Sequence, residues 1–326
     1  MSTEAQIHSF RETYGALRDE IGKVIVGHEA IVEGTLIALL AGGHVLLEGV
    51  PGLGKTLLVR TLSEVLDISF NRVQFTPDLM PADILGTNIV MESVGGRREF
   101  QFQKGPIFAH LILADEINRA TPKTQSALLE AMNEQQISVE GKTLSLPDPF
   151  MVIATQNPAE HHGTYPLPES QLDRFLMRLR IGYPDLASER EIIRQPETRH
   201  GETTPRVLTR EALLELQEVV KQVRVDEAIV DYMLAIVERT RTHDGLALGV
   251  SPRGSQAFYR AVQAYAVLED RAFAVPDDAK ILAPKVFGHR VVPVARQTLA
   301  SRRNGISAAT GERVIEEILS GIEVPL

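Results

Sequence analysis

Residues 49–56 read Gly49-Val-Pro-Gly-Leu-Gly-Lys-Thr56 and match the phosphate-binding pattern G-x-x-x-x-G-K-[ST]. The glycines permit a tight turn in which backbone N–H groups point inward around a phosphate. In this pattern Lys55 reaches the terminal phosphates, and the Thr56 hydroxyl ligates Mg²⁺. The loop also opens a helix, whose amino terminus favours an anion. The sequence therefore predicts a site for a nucleoside triphosphate with Mg²⁺.

The residues around this loop agree with the motif. A short, mostly apolar run at 44–48 is suited to a buried parallel strand, and apolar residues after the loop recur at helical spacing. The competing interpretation is a glycine turn with an incidental lysine. We expect these residues to hold the nucleotide: Gly49, Pro51, Gly52, Leu53, Gly54, Lys55, Thr56 and Asp115.

Two carboxylates, Asp115 and Glu116, follow the apolar run 111–115. Alone they would be read as acidic residues at a strand end beside a helix. Given the loop upstream, Asp115 is predicted to hold Mg²⁺ together with Thr56, directly or through water. Glu116 is predicted to orient and polarise the attacking water, a role that phosphoryl-transfer sites need filled.

Composition limits the class of protein. The chain has 326 residues, enough for two domains, with 44% hydrophobic and 24% charged residues, as in an ordinary globular protein. It has no cysteine, a net charge of −9 and no apolar signal core at its amino terminus. The apolar stretch 35–47 is broken by glycines and a histidine, so it predicts no membrane insertion. We expect a cytoplasmic protein.

The first part of the chain alternates strands and helices, which predicts an α/β fold: a parallel sheet with helices on both faces. Candidate strands are 44–48, 70–75, 111–115, 151–155 and 175–181. Two β-hairpin insertions are predicted, one around Gly95-Gly96 in 89–102 and one in 137–146. Thr121 followed by Pro122 predicts a helix start.

The second part of the chain is predicted to be an all-helical lid. A boundary near Gly182-Tyr-Pro184 divides the chain into an α/β domain, 1–183, and a lid domain, 184–326. Ser188 and Glu191 form a capping-box pattern that predicts a helix start. Further helices are predicted at 210–223, 227–242, 252–268 and 277–287.

A series of motifs in this order resembles the MoxR family of AAA+ ATPases over nearly the whole chain. Its elements are Val26-Gly27-His28, the loop 49–56, Gln74-Phe-Thr-Pro-Asp-Leu-Met-Pro81, the run LADEINRA ending at Ala120, Ala154-Thr-Gln-Asn-Pro158, Glu169-Ser-Gln-Leu-Asp-Arg-Phe175 and Ser251-Pro-Arg-Gly254. The two predicted hairpins correspond to insertions of that group.

The resemblance implies three further site residues. Asn157 is similar to the amide that contacts the γ-phosphate or the attacking water; the alternative is a turn residue before Pro158. Arg174 resembles an arginine finger that reaches a neighbouring subunit's site; the alternative is an ion pair with Glu169 or Asp173. Arg253 resembles a second arginine that contacts the phosphates from the lid; the alternative is an exposed helix arginine.

The resemblance implies Mg²⁺-dependent ATP hydrolysis by a ring-forming homo-oligomer, expected to be a hexamer, that remodels or activates client proteins. It also implies a partner with a von Willebrand factor A domain. Two other functions stay open: a nucleic-acid-associated motor and an ATP-gated scaffold with slow turnover. The net charge and the lack of interleaved aromatic and basic residues count against nucleic acid. The presence of Glu116 favours hydrolysis over a scaffold.

Overall fold

The structure is a computed structural model that describes residues 3–50, 52–92, 98–139, 141–157, 163–194, 205–294 and 310–325. Its centre is a five-stranded parallel sheet in the order β2-β5-β8-β1-β9. The strands are β1 Val45–Glu48, β2 Phe70–Gln74, β5 Leu111–Asp115, β8 Met151–Gln156 and β9 Met177–Arg180. The parallel sheet is confirmed. Strand β9 is shorter than the predicted strand 175–181, since Phe175 and Leu176 lie before it and Ile181 lies after it.

Helices cover both faces of this sheet, so that an apolar cluster lies on each face. Successive residues of a strand point to different clusters. In β1, Val45 and Leu47 belong to one apolar cluster, and Leu46 between them belongs to the other. The helices of this part are α1 Thr3–Gly22, α2 Glu29–Leu40, α3 Lys55–Val65, α4 Pro81–Leu85, α5 Pro122–Glu134 and α6 Glu169–Leu172. Helix α5 begins at the proline after Thr121, as predicted.

Both predicted hairpins are present as separate antiparallel pairs. The first pairs β3 Gly86–Glu92 with β4 Arg98–Lys104, and the second pairs β6 Gln136–Val139 with β7 Lys142–Ser145. The predicted turn at Gly95-Gly96 lies outside the described residues.

The second part of the chain is helical, as predicted. Its helices are α7 Leu186–Arg194, α8 Arg210–Lys221, α9 Glu227–Thr242, α10 Pro252–Leu268, α11 Pro276–Phe287 and α12 Thr310–Ser320. It also contains an unpredicted antiparallel pair, β10 Leu246–Leu248 with β11 Val292–Pro293. The prediction that Ser188 starts a helix is wrong. Helix α7 begins at Leu186, and Asp185 caps it by accepting a hydrogen bond at 2.7 Å from the Ser188 backbone N–H.

The larger apolar cluster contains residues from both parts of the chain, for example Ile37 and Val45 from the first and Phe258 and Ile315 from the second. The two parts therefore share packed apolar surface, and the domain boundary at 183/184 stays a prediction. Among the described residues, no helix combines the length and the apolar character needed to span a membrane.

Candidate functional site

The phosphate loop leaves the carboxyl end of β1 through close backbone contacts. The Gly49 backbone N–H donates to the Gln156 carbonyl at 3.2 Å. A Cβ added at Gly49 would lie 2.5 Å from the Ile181 carbonyl oxygen, so only glycine fits there. Gly52 and Gly54 have φ values of 87° and 74°, in the left-handed region that favours glycine. Pro51 lies outside the described residues.

Lys55 and Thr56 are the first two residues of α3, which begins directly after the loop. The Lys55 side chain is buried, and its Nζ donates to the Gly49 carbonyl at 2.8 Å, so the lysine spans the loop. Gly54, the N-cap, supplies no side-chain acceptor, which leaves the first helical N–H groups for an anion. A Cβ at Gly52 or Gly54 would meet no described atom within 4 Å, so the loop faces open space. These donors fit a polyphosphate.

The two carboxylates at the end of β5 are organised by Thr155 of the neighbouring strand β8. The Thr155 hydroxyl donates to Asp115 Oδ1 at 2.5 Å and accepts from the Glu116 backbone N–H at 2.9 Å. Thr155 is fully buried. Glu116 has a φ of 58°, a left-handed conformation that turns the chain sharply away from the strand. One buried hydroxyl thus fixes both acidic residues.

Strand β2 contributes two further polar residues to this end of the sheet. Arg72 Nη2 lies 2.7 Å from Asp115 Oδ2 and donates to Gln74 Oε1 at 2.9 Å. Gln74 Nε2 in turn donates to Glu116 Oε2 at 2.7 Å. Arg119 is a second cation here, with its Nε 3.3 Å from Glu116 Oε2. Every carboxylate of the site therefore has a donor from its own chain.

Three residues at this end of the sheet were not predicted as site residues: Arg72, Gln74 and Thr155. The signal that would have found them is strand register: Gln74 pairs with Asp115, and Thr155 is the last residue but one of β8. Residues at the carboxyl ends of neighbouring parallel strands meet at one edge of a sheet. Predicting these residues requires the order of the strands in the sheet, and that order cannot be read from any one segment of the sequence.

Asn157 directly follows β8, between the strand that carries Asp115 and the strand that leads into the phosphate loop. It is 7% exposed. Its neighbour Gln156 donates to Glu48 Oε1 at 2.7 Å, which ties the end of β8 to the end of β1. The structure therefore places Asn157 at the same edge as the loop and the two carboxylates.

The fit of Mg²⁺ follows from the donor set. Within the ranges that the structure describes, no group of three or more His, Cys, Asp or Glu side chains is arranged to hold a metal ion. Both Asp115 oxygens already accept from Arg72 or Thr155. Mg²⁺ usually keeps several waters and binds through one or two protein oxygens plus substrate phosphates. The residues present therefore suit Mg²⁺ that arrives with a nucleotide.

Arg174 and Arg253 lie together at the opposite edge of the sheet. Both line one groove with Gly43 and His44, which precede β1, whereas the phosphate loop follows β1. Arg253 donates a hydrogen bond to Asn133 in α5. The lid docks so that the start of α10, which carries Arg253, lies at the amino ends of the strands, and the contact of Arg253 with phosphates stays a prediction.

The surroundings of Arg174 bear on its two interpretations, and its role as an arginine finger stays a prediction. Asp173, one of the two ion-pair partners named as alternatives with Glu169, binds Arg290 at 2.8 Å. The Nε of Arg174 is buried and finds no hydrogen-bond partner among the described residues. Burial and the nearby charge of Arg253 lower the pKa of Arg174, while Glu130 and Glu134 oppose that change. Arg174 thus lines a groove together with a second arginine and has one buried nitrogen without a partner among the described residues, an arrangement that suits an anionic ligand.

Comparisons with known proteins agree with this geometry. Residues 44–177 match the family model for the ATPase family associated with various cellular activities (AAA), and residues 238–318 match the AAA lid domain. The chain is 47% identical over 315 residues to the uncharacterized protein YeaC of Bacillus subtilis, covering 96% of this chain and 95% of YeaC. It is 43% identical over 318 residues to Chaperone MoxR1 of Mycobacterium tuberculosis, covering 94% of this chain and 81% of that protein.

A more distant sequence and a solved structure are also similar over most of the chain. The MoxR protein of Methylorubrum extorquens is 29% identical over 313 residues, covering 88% of this chain and 90% of that protein. The crystal structure of a candidate ATPase from Cytophaga hutchinsonii superposes with a TM-score of 0.88 at 36% identity, covering 99% of this chain and 98% of that one.

Proposed function

The chain belongs to the MoxR family of AAA+ ATPases, and from that premise we propose that it hydrolyses ATP with Mg²⁺ at sites shared between neighbouring subunits of a ring. One observation carries the proposal. The carboxyl ends of the strands, called here the carboxyl edge of the sheet, carry the phosphate loop, Asp115, Glu116 and Asn157. The amino ends of the strands, called the amino edge, lie beside Arg174 and Arg253. Each chain thus holds two complementary parts of a phosphoryl-transfer site that it cannot join by itself.

The carboxyl edge would bind the triphosphate and the attacking water. Loop N–H groups and the Lys55 ammonium would neutralise the phosphates, while the Thr56 hydroxyl and Asp115, the latter through water, would hold Mg²⁺. When bound, Mg²⁺ would supply positive charge that neutralises the phosphates. Glu116 would orient the water and polarise it, and the Asn157 amide would contact the γ-phosphate without adding charge. Phosphoryl transfer depends mainly on such positioning and electrostatics.

The amino edge would supply positive charge to the site of the next subunit. Strand β1 has four residues and so separates the two edges by roughly 13 Å, at about 3.3 Å per residue. Neither Arg174 nor Arg253 therefore reaches the loop of its own chain without a large rearrangement. In a neighbour's site, a guanidinium would stabilise the charge that develops on the phosphate oxygens, an effect worth about 10³–10⁵ in rate for arginine fingers.

The biological role proposed for this activity is chaperone-like. Chaperone MoxR1, at 43% identity, is a relative over nearly the whole chain. We therefore propose that a homo-hexameric ring in the cytoplasm remodels or activates client proteins, in company with a protein that carries a von Willebrand factor A domain. Capture of partners on the ATP-loaded Glu116→Gln protein, compared with the nucleotide-free protein, tests this role.

Replacing Glu116 by Gln tests the assignment of the base. The amide keeps the size of the side chain but loses the charge that polarises water, so ATP binding should persist while kcat falls by about 10²-fold or more. Glu211→Gln, an exposed glutamate in α8, is the matched control and should leave kcat unchanged. Turnover of Glu116→Gln at the rate of the unmodified protein would show that another group activates the water.

Mixed rings test whether the site is shared. Subunits with Lys55→Ala lack a working loop but keep both arginines, whereas subunits with Arg174→Ala keep the loop. Each variant alone should be nearly inactive, and mixing them should restore part of the ATPase rate. Arg224→Ala, an exposed arginine in the lid, is the control and should be as active alone as the unmodified protein. Failure of rescue in well-formed mixed rings would contradict a shared site.

A further inference from the structure

Asp173, which immediately precedes Arg174, links three segments of the chain through one carboxylate. Its Oδ1 accepts from Arg290 Nε at 2.8 Å, and its Oδ2 accepts from the Ser251 hydroxyl at 2.9 Å. Both partners belong to the second part of the chain, on the far side of the predicted boundary. The carboxylate therefore joins the segment that carries Arg174 to the lid.

Arg290 holds the backbone on both sides of Arg174. Its side chain is 2% exposed and donates to the carbonyls of Asp173 at 3.2 Å, Phe175 at 2.6 Å and Leu176 at 3.0 Å. Burial lowers the pKa of Arg290 to about 10, with Asp173 opposing that change, so the guanidinium stays charged at neutral pH. A buried charge held by a carboxylate and several carbonyls leaves this segment little freedom.

Ser251 connects Asp173 to the helix that carries Arg253. It is the N-cap of α10, where its hydroxyl accepts from the Gly254 backbone N–H at 3.1 Å while donating to Asp173. Arg253 is the second residue of that helix. The position of Arg253 along the groove is thus set by the contact between Ser251 and Asp173.

We infer that Asp173, Ser251 and Arg290 form a clamp that fixes the spacing between Arg174 and Arg253, so that both guanidinium groups reach a neighbour's nucleotide as one preorganised pair. Two cations in one groove repel each other, and the clamp opposes that repulsion at the backbone segments that carry them. The role of the clamp depends on the proposed shared site, to which it adds three positioning residues. Preorganisation of this kind acts on kcat, because misplacement by about 1 Å costs up to about 10²-fold in rate.

A purely structural role would give a different result. If the clamp only attached the lid to the sheet, changing it would lower stability and damage every function of the chain equally. If the clamp positions the arginines, the loss appears in the neighbour's site, while the loop of the altered chain keeps its own affinity for ATP. The two roles are therefore separated by subunit mixing.

Ser251→Asp is the variant that tests the clamp. Asp is a good N-cap, so α10 keeps its start, but a second carboxylate now faces Asp173 and repels it. Ser251→Asn keeps both the cap and a donor toward Asp173. Thr209→Asp makes the same change at the N-cap of α8, where the Thr209 hydroxyl accepts from the Ala212 N–H and has no link to the arginines.

We expect Ser251→Asp rings to show a kcat about 10- to 100-fold lower with the KM for ATP within about twofold of the unmodified protein. Ser251→Asn and Thr209→Asp should retain the unmodified kcat. Mixing Ser251→Asp subunits with Lys55→Ala subunits, which carry an intact clamp, should restore activity. Where Ser251→Asp does not form rings, Ser251→Ala replaces it, with Thr209→Ala as its control.

Three results would overturn the inference. Unchanged kcat in Ser251→Asp would show that the clamp does not position the arginines. A low kcat that Lys55→Ala subunits do not rescue, although they rescue Arg174→Ala, would place the damage in the altered chain's own site. Absence of rescue in both mixtures would refute the shared site itself, and the clamp with it.

Discussion

Replacing Glu312 by Gln should weaken the attachment of the second part of the chain to the sheet. In α12, Glu312 Oε1 lies 3.2 Å from Arg178 Nη2, and Oε2 lies 2.9 Å from Arg180 Nη1. Both arginines also face Glu48, the last residue of β1, at 3.7 and 3.6 Å. Two carboxylates therefore balance two guanidinium groups, and the amide of Gln would leave one positive charge uncompensated.

The expected loss of stability follows from the burial of these groups. Breaking a buried ion pair by removing one partner costs about 3–5 kcal/mol. Arg178 is 10% exposed, but Glu312 and Arg180 are 22% and 36% exposed, so solvent screens part of the interaction. We expect the free energy of unfolding to fall by about 2 kcal/mol, which lowers Tm by about 3 °C for a chain of this length.

Urea and thermal unfolding of Glu312→Gln, followed by circular dichroism, measure this loss. Glu316→Gln is the matched control, because Glu316 is an exposed glutamate of the same helix. A double-mutant cycle with Arg180→Gln should give a coupling free energy of about 1 kcal/mol. Equal stabilities of Glu312→Gln and Glu316→Gln, or a coupling energy of zero, would refute the reasoning.

Three further changes test the site and the core. Burial lowers the pKa of His44 to about 4, so the unfolded chain binds a proton that the folded chain excludes as pH falls from about 6.5. Stability should therefore drop by about 3 kcal/mol between pH 6.5 and 4, and His44→Gln should flatten that slope in urea unfolding. Gly49→Ala should abolish ATP binding in a fluorescent-nucleotide assay, because its Cβ would strike the Ile181 carbonyl. Thr155→Val should lower kcat about tenfold while Thr155→Ser retains it, because the hydroxyl orients Asp115.

The sequence predicted the segments whose structure is set by local chemistry. The phosphate loop, the strand ending in Asp115 and the helix starting after Thr121 are read from glycines, apolar runs and a cap with proline. Helices α9 and α10 were predicted with the observed bounds, since both have a capping residue and apolar periodicity. These features need no knowledge of distant residues.

The misses arise where partners far apart in sequence decide the structure. Helix α1 is an exception: it was not predicted, although the helical spacing of Ile7, Phe10, Leu17 and Ile21, which form its buried face, is a local signal. Strands β10 and β11 are too short to show alternation and exist only as each other's partners. The place of Arg253 depends on how the lid docks, which is set by contacts such as that between Arg290 and Asp173.

That docking also limits the kinds of assembly that can complete the site. The loop and the arginine groove are different surfaces of one chain, at opposite edges of the sheet. In a two-fold dimer, the same surface of each subunit forms the contact. Such a dimer would bring the groove of one subunit to the loop of the other only if both loops and both grooves were buried in a single interface. A head-to-tail contact places each groove on the next loop, and such heterologous contacts close into rings when the rotation per subunit permits. If the proposed shared site is correct, ATPase activity per subunit should therefore rise with protein concentration and reach a plateau when sedimentation shows closed rings. Full activity in isolated monomers or dimers would contradict this argument.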